Sequence, residues 1–176
     1  MITKFNIWTD GACSPNPGKG GFCFYLEAVD EQGNIVNRAL ASDYDKNSTN
    51  NIMELSAIWK ALQFVEILQE SRKDVDANYK ITVTSDSQYC INAFNKGWLV
   101  NWKKNNFTRK GEPLANKEIW KDVYHLVYEK FKNKIGFIWV RGHQSNECNN
   151  LCDTYAVKAR IEEQPFYLVN NQIPKF

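Results

Sequence analysis

Apolar positions recur along this chain with two periods. Phe5, Ile7 and Thr9 alternate with Asn6 and Trp8, and β-rich runs follow at Phe22 to Ala28 and Ile35 to Ala41. Gly-, Pro- and Asn-containing turns separate them, so three antiparallel strands are predicted. The segment Ser14 to Gly21 carries glycines but not the spacing of the common phosphate-cradling loops, and it reads as a plain turn. From Asn51 the period changes to 3.6: Leu55, Ile58, Leu62 and Val65 form one stripe, predicting a helix to about Gln69 that packs on a sheet. The polar stretch Glu70 to Asn78 ends it. Ile81 and Val83 predict a short buried strand closing at Thr84 to Ser87, and Tyr89, Ile91 and Phe94 predict a second helix. A turn at Gly111-Glu112-Pro113 precedes a helix near Glu118 to Phe131, marked by Ile119, Val123, Leu126 and Val127. Ile135 to Val140 is the fifth strand. A last helix starts near Glu147 with Leu151, Tyr155, Ala156 and Ala159 in step, and the tail Pro165 to Phe176 shows no period.

Composition bounds this pattern. With 176 residues, 43% of them hydrophobic and 24% charged, the chain suits one α/β domain with a buried core rather than a disordered or fibrous protein. Its apolar stretches are interrupted well before the roughly 18 residues a membrane helix requires. Residues 1 to 5 pass directly into a strand with no signal-peptide pattern, so a cytoplasmic protein is expected, with no membrane partner. The odd cysteine count (Cys13, Cys23, Cys90, Cys148 and Cys152) argues for reduced thiols.

The formal net charge of +2 hides a polarity. Lys96 to Lys134 holds ten basic and four acidic residues, leaving the remainder of the chain net negative. Trp98, Trp102 and Phe107 lie among those cations, as in surfaces that grip a polyanion and stack on sugars or bases. A solvated helix face with its own apolar stripe produces the same pattern.

Four carboxylates hold the candidate chemistry. Asp10 ends the first strand and Asp86 the fourth, and a meander followed by a helical crossover allows those strands to be neighbours. Glu54, early in the first long helix, and Asp153, in the last, can turn toward the same place. Four acids in one pocket raise one another's pKa and call for a hard divalent cation, Mg²⁺ or Mn²⁺, with oxygen ligands only. Two such ions can activate water and steady a leaving oxygen at a phosphodiester. Each acid also has an ordinary reading: Asp10 as a turn starter, Asp86 as a helix cap, and Asn51 to Glu54 as a capping box.

Together the motifs are more specific. Thr9-Asp10-Gly11-Ala12-Cys13 with Asn16-Pro17-Gly18, Thr49-Asn50-Asn51 with Met53-Glu54-Leu55, Ser85-Asp86-Ser87-Gln88-Tyr89, Trp98 with Asn101-Trp102-Lys103-Lys104, Trp139 to His143, and Asn149 with Cys152-Asp153 follow in order over residues 3 to 160. In this the chain resembles type 1 ribonuclease H, which cuts the RNA strand of RNA/DNA hybrids. The resemblance implies a ribonuclease H-like fold, a mixed five-stranded sheet in the element order βββαβα(α)αβα with helices on its faces. It implies a catalytic domain over residues 1–163 and a tail over 164–176.

The resemblance also implies a catalytic set of Asp10, Glu54, Asp86 and Asp153 holding two Mg²⁺ ions, with Mn²⁺ as a substitute. Asp10 would bridge both ions, Asp153 would help hold the one that activates water, and Glu54 and Asp86 the other. Products would be a 5′-phosphate and a 3′-hydroxyl. His143 would assist proton transfer or product departure. Asn50, Asn51, Gln88 and Glu54 would sense the 2′-hydroxyl, while Asn16, Thr49, Trp98, Trp102, Lys103 and Lys104 would hold the hybrid through a phosphate pocket and a basic protrusion. A monomer acting in DNA replication and RNA primer removal is the implied setting. Ile52 replaces a common Arg, Asn150 a frequent Glu, and residues 144–148 lack the usual Gly.

Three rivals are separable. Cys148 and Cys152 with His143 suggest zinc, but the spacing fits no common finger and lacks a fourth ligand. A non-catalytic hybrid-binding module would not need all four acids. Another metal-dependent polynucleotidyl transferase would keep the acids without the asparagines, Gln88 and the basic segment.

Overall fold

The computed structural model describes residues 1–142 and 146–176. Three long strands, β1 (Ile2–Cys13), β2 (Gly18–Asp30) and β3 (Ile35–Ser48), form the expected antiparallel meander, and the Ser14 to Pro17 segment between the first two is the plain turn its composition predicts. Helix α1 (Asn50–Ser71) then crosses to β4 (Val75–Ser85), which pairs parallel with β1. Helices α2 (Gln88–Asn95) and α3 (Trp98–Lys104) lead into a two-rung hairpin, β5 (Thr108–Arg109) and β6 (Glu112–Pro113). Helix α4 (Lys117–Tyr124), a π-helical turn (His125–Lys130), β7 (Ile135–Trp139), α5 (Glu147–Glu162) and β8 (Phe166–Val169) complete the chain. The main sheet runs β7-β4-β1-β2-β3-β8. No helix among the described residues is long and apolar enough to cross a membrane.

Both faces of the sheet are covered, for reasons visible in the strands. On one face Phe5, Ile7, Phe24, Leu26, Ile81 and Val83 meet the α1 stripe of Leu55, Ile58, Leu62 and Val65, all buried. On the other, Cys23, Tyr25 and Leu40 meet Cys152 and Ala156 of α5 together with Ile173. Alternate residues of β2 therefore find an apolar partner on either side, which is why Phe22 to Leu26 reads as an unbroken apolar run.

Several boundaries differ from the sequence reading: β1 runs past Asp10 to Cys13, β2 begins at Gly18 inside the expected turn, and β3 extends from Ala41 to Ser48. The sheet has six strands rather than five, because Phe166 to Val169 of the aperiodic tail pair with Ser42 to Ala39 of β3. A four-residue edge strand is too short to show a period. β4 begins at Val75 rather than Ile81: a register shift between Ile2 and Lys4 breaks its alternation, and polar side chains fill its first turn of chain. The helix expected over Glu118 to Phe131 divides at Tyr124, where wider turns bring the Phe131 N–H to the Leu126 carbonyl at 2.7 Å. β7 stops at Trp139, one residue short of Val140.

Ile173, only 2% exposed, ties the carboxy-terminal segment to the α5 face. Ile173→Ala is expected to lower stability by about 2–4 kcal/mol, read as a shifted urea midpoint with an unchanged slope.

Candidate active site

The parallel ladder between β1 and β4 sets the first two acids. Its last rung joins Thr9 to Ser85, so Asp10 and Asp86 follow at the same level on adjacent strands. Asp10 does not start a turn: β1 continues through Cys13, still paired with β2, and the Gly11 N–H donates to Asp10 Oδ1 at 2.9 Å. Asp86 does not cap α2. Ser87 does, its hydroxyl accepting from the Cys90 N–H at 3.2 Å. Thr49 likewise caps α1 by accepting from Ile52, so no capping box forms at Asn51 to Glu54. The ordinary uses of these acids are thus taken by other residues.

Glu54 and Asp153 arrive from opposite faces of the sheet. Gly11 lies so close to α1 that a Cβ there would strike the backbone of Met53 and Glu54. Its missing side chain is what lets Glu54 reach the end of β1, and a glycine directly after an acid inside an apolar strand was the available signal. On the other side Gly21 leaves room for the backbone of α5 at Ala156, and the Cys152 thiol donates to the Trp8 carbonyl at 3.2 Å. These contacts anchor α5 one residue from Asp153.

Ligand oxygens of Asp10, Glu54 and Asp86 lie within 4.8 Å of one another. Asp153 stands outside that tight group but lines the same cavity of about 440 Å³, with Asn50, Asn51 and Gln88 at its rim. Burial, followed by the charges of Asp86 and Asp153, pushes Asp10 up to about 8. Burial and then the Asp10 and Asp86 charges hold Glu54 well above the usual carboxylate range. Glu54 is half-buried as a residue, yet its Oε2 is enclosed without a hydrogen-bond partner. An orphaned carboxylate oxygen among acidic neighbours fits a hard divalent cation with oxygen ligands.

The other expected residues divide into two places. At the start of α1 the Asn50 N–H donates to Asn16 Oδ1 at 3.2 Å and Asn50 Oδ1 accepts from the Cys13 N–H at 2.9 Å, linking Asn16, Thr49 and Asn50 to the cavity mouth. Trp98, Trp102, Lys103 and Lys104 lie apart on α3. Trp102 packs edge-on against buried Trp120 at 5.2 Å, while Trp98 is 37% exposed. Lys103 Nζ lies 5.8 Å from the Tyr124 ring centre, and Lys104 is exposed. A separate concavity of about 560 Å³ includes Trp102, Thr108, Arg109 and Lys110. Cys13 and Tyr89 also line the acidic cavity, a position their motifs did not assign. Ile52, in place of an Arg, packs against Phe22, Met53 and Ala57. His143 lies outside the described residues.

The RNase H family model matches residues 3–161. The chain belongs to the ribonuclease H family. Among its relatives, the ribonuclease H of Caldanaerobacter subterraneus subsp. tengcongensis is 38% identical over 163 residues, covering 90% of this chain and 94% of that protein. That of Chlorobium phaeobacteroides is 41% identical over 160 residues, covering 90% and 97%. The fold matches LC9-RNase H1, a type 1 RNase H with the type 2 active-site motif, with a TM-score of 0.78 at 20% identity over 98% of this chain and 80% of that one. LC11-RNase H1, solved in complex with RNA/DNA hybrid, matches with a TM-score of 0.62 at 21% identity, covering 90% of this chain and 98% of that one. The protein is accordingly a nuclease, of a family that degrades RNA in RNA/DNA hybrids.

Because the fold raises the Asp10 pKa from 3.8 to about 8, the folded metal-free protein holds a proton that the unfolded chain has released across that interval. Its stabilising contribution is complete below about pH 4 and is lost as pH rises through about 8. Asp10→Asn is expected to flatten this decline and to leave the metal-free protein more stable at pH 8 by an amount on the order of a few kcal/mol. Urea unfolding of both proteins at pH 5 and pH 8 in chelator measures it, and Asp10 is a structural residue if the variant is weaker throughout.

Proposed function

We propose that this chain is an endoribonuclease that hydrolyses the RNA strand of RNA/DNA hybrids by two-metal-ion chemistry, leaving 5′-phosphate and 3′-hydroxyl ends. The observation that carries this reading is the meeting of Asp10, Glu54 and Asp86 within 4.8 Å, with Asp153 lining the same cavity. Bound Mg²⁺, or Mn²⁺ in its place, supplies activation of water and charge stabilisation on the leaving oxygen.

The chain's own residues do the rest. Asp10, Glu54, Asp86 and Asp153 would hold the ions, and Asp10 and Glu54, whose neutral forms burial favours, would give up protons to do so. Asn50, Asn51 and Gln88 at the cavity rim are placed to exchange hydrogen bonds with a 2′-hydroxyl, a group that DNA lacks. Asn16 and Thr49, at the amino-terminal end of α1, suit a phosphate of the DNA strand. His143 would assist proton transfer or product departure. Trp98, Trp102, Lys103 and Lys104 hold the duplex beyond the cavity without reading its sequence. Catalysis belongs to residues 1–163, and the tail supplies β8 and Ile173 as support. A cytoplasmic monomer, working where RNA primers are removed during replication, fits the five free cysteines.

Matched RNA/DNA, RNA/RNA and DNA/DNA duplexes test this directly. Cleavage is expected only in the RNA of the hybrid, only with Mg²⁺ or Mn²⁺, and not after chelation. Cutting of DNA/DNA, or hybrid binding without cutting, rejects the reading. Lys103→Ala/Lys104→Ala is expected to raise KM at low salt with little change in kcat, and to reduce the slope of log affinity against log salt by about one per lysine that contacts phosphate.

A further inference from the structure

Asp86 is held differently from the other acids. Asp10 lies within a strand and Glu54 and Asp153 within helices, whereas Asp86 occupies the junction between β4 and α2, one residue past the last β1–β4 rung. The β4–β7 ladder also ends there, pairing Ser85 with Trp139 and closing with the Val140 N–H on the Ser85 carbonyl at 3.0 Å. At this point the Asp86 carboxylate is packed within 4.8 Å of ligand oxygens of Asp10 and Glu54, an arrangement that lasts only while the junction is held in place.

The indole of Trp139 holds the junction. Its Nε1–H donates to the Asp86 main-chain carbonyl at 3.1 Å, across the gap where the ladder has ended. Burial does not account for the residue: Trp139 is 41% exposed, and unlike Ile135 and Phe137 of the same strand it joins none of the core clusters formed by the described residues. The chain just beyond it touches the other end of Asp86, since a Cβ on Gly142 would lie 2.7 Å from Asp86 Oδ2. The segment from Trp139, the last residue of β7, to Gly142 thus runs beside Asp86, bonding its carbonyl and passing close to its carboxylate.

We propose that Trp139 is a positioning residue for divalent-metal binding, its indole N–H rather than its ring fixing the Asp86 main chain where the carboxylate completes the three-acid cluster. The inference rests on the metal-dependent reading above and assigns Trp139 no contact with the ions or the reacting atoms.

Calorimetric titration of the full chain with Mg²⁺ alone, at pH 7.5 on the order of the physiological value, separates the two. Wild-type protein that binds no Mg²⁺ removes the metal-dependent reading. If it binds, Trp139→Phe, which keeps a ring and loses the donor, is expected to weaken the apparent Mg²⁺ affinity about tenfold, and Trp139→Ala by a similar factor, equivalent to about 1.4 kcal/mol. Wild-type affinity in Trp139→Phe with loss only in Trp139→Ala would make the ring the working part and overturn the proposal. Unchanged Mg²⁺ affinity in both variants, with a raised KM for hybrid, would make Trp139 a substrate contact and overturn it equally. A measurement on the unaltered protein guards against variants that fold poorly. The Trp139 indole proton is expected to exchange at least about tenfold more slowly than a free indole, and to shift in the NMR spectrum as Mg²⁺ is added. An unprotected proton insensitive to Mg²⁺ would also overturn the proposal.

Discussion

The crowding of carboxyl groups at the end of a parallel strand pair, which costs either charge repulsion or the uptake of a proton, is the constraint that organises this molecule. Left to itself, a cluster of Asp10, Glu54 and Asp86 would disperse, because a group that moves away regains hydration and its ordinary acidity. The β1–β4 ladder prevents that by fixing Asp10 and Asp86 at one level, and the hydrogen bonds that do so lie in a sheet covered on both faces. Stability gained across the core therefore maintains an arrangement that is locally unfavourable until cations neutralise it.

Close backbone contact serves the same end. Gly11 admits α1 and Gly21 admits α5, so the two helices press on opposite faces of β1 and β2 near the acids. The thiol of Cys152 is used in this packing, donating to the Trp8 carbonyl, while burial pushes the neighbouring Cys148 thiol up to about 12.

Charge separation along the chain becomes spatial separation in the fold. The acids gather in one cavity, and the lysines of α3 with Arg109 and Lys110 stand apart from it on the helix and hairpin. On the proposed function, a duplex spanning the two would meet cations where its backbone is held and carboxylates where its phosphate is cut. Trp102 joins these regions physically, with its ring against Trp120 in the core and the basic residues following it in sequence. Aromatic packing of Trp102 on Trp120 thus anchors this basic segment.

The strand meander, the α1 stripe and the α5 stripe were legible from period alone, since each buries one repeating face and the side chains announce it. The identity of the four acids was legible because they stand in recognisable short motifs. Other features were not. The Phe166 to Val169 strand is specified by a vacant edge of β3, and no local pattern in the tail encodes that edge. The ordinary readings of Asp10, Asp86 and Glu54 as turn, cap and capping-box residues were excluded only when β1 proved to run on to Cys13 and Ser87 and Thr49 proved to be the caps. The level shared by Asp10 and Asp86, the approach of Glu54 past Gly11 and the reach of the Trp139 indole to Asp86 depend on register and helix docking. Sequence determined which side chains are acidic, apolar or small; the tertiary structure decided which of them meet, because distances between residues remote in the chain are fixed by packing and not by the order of the residues.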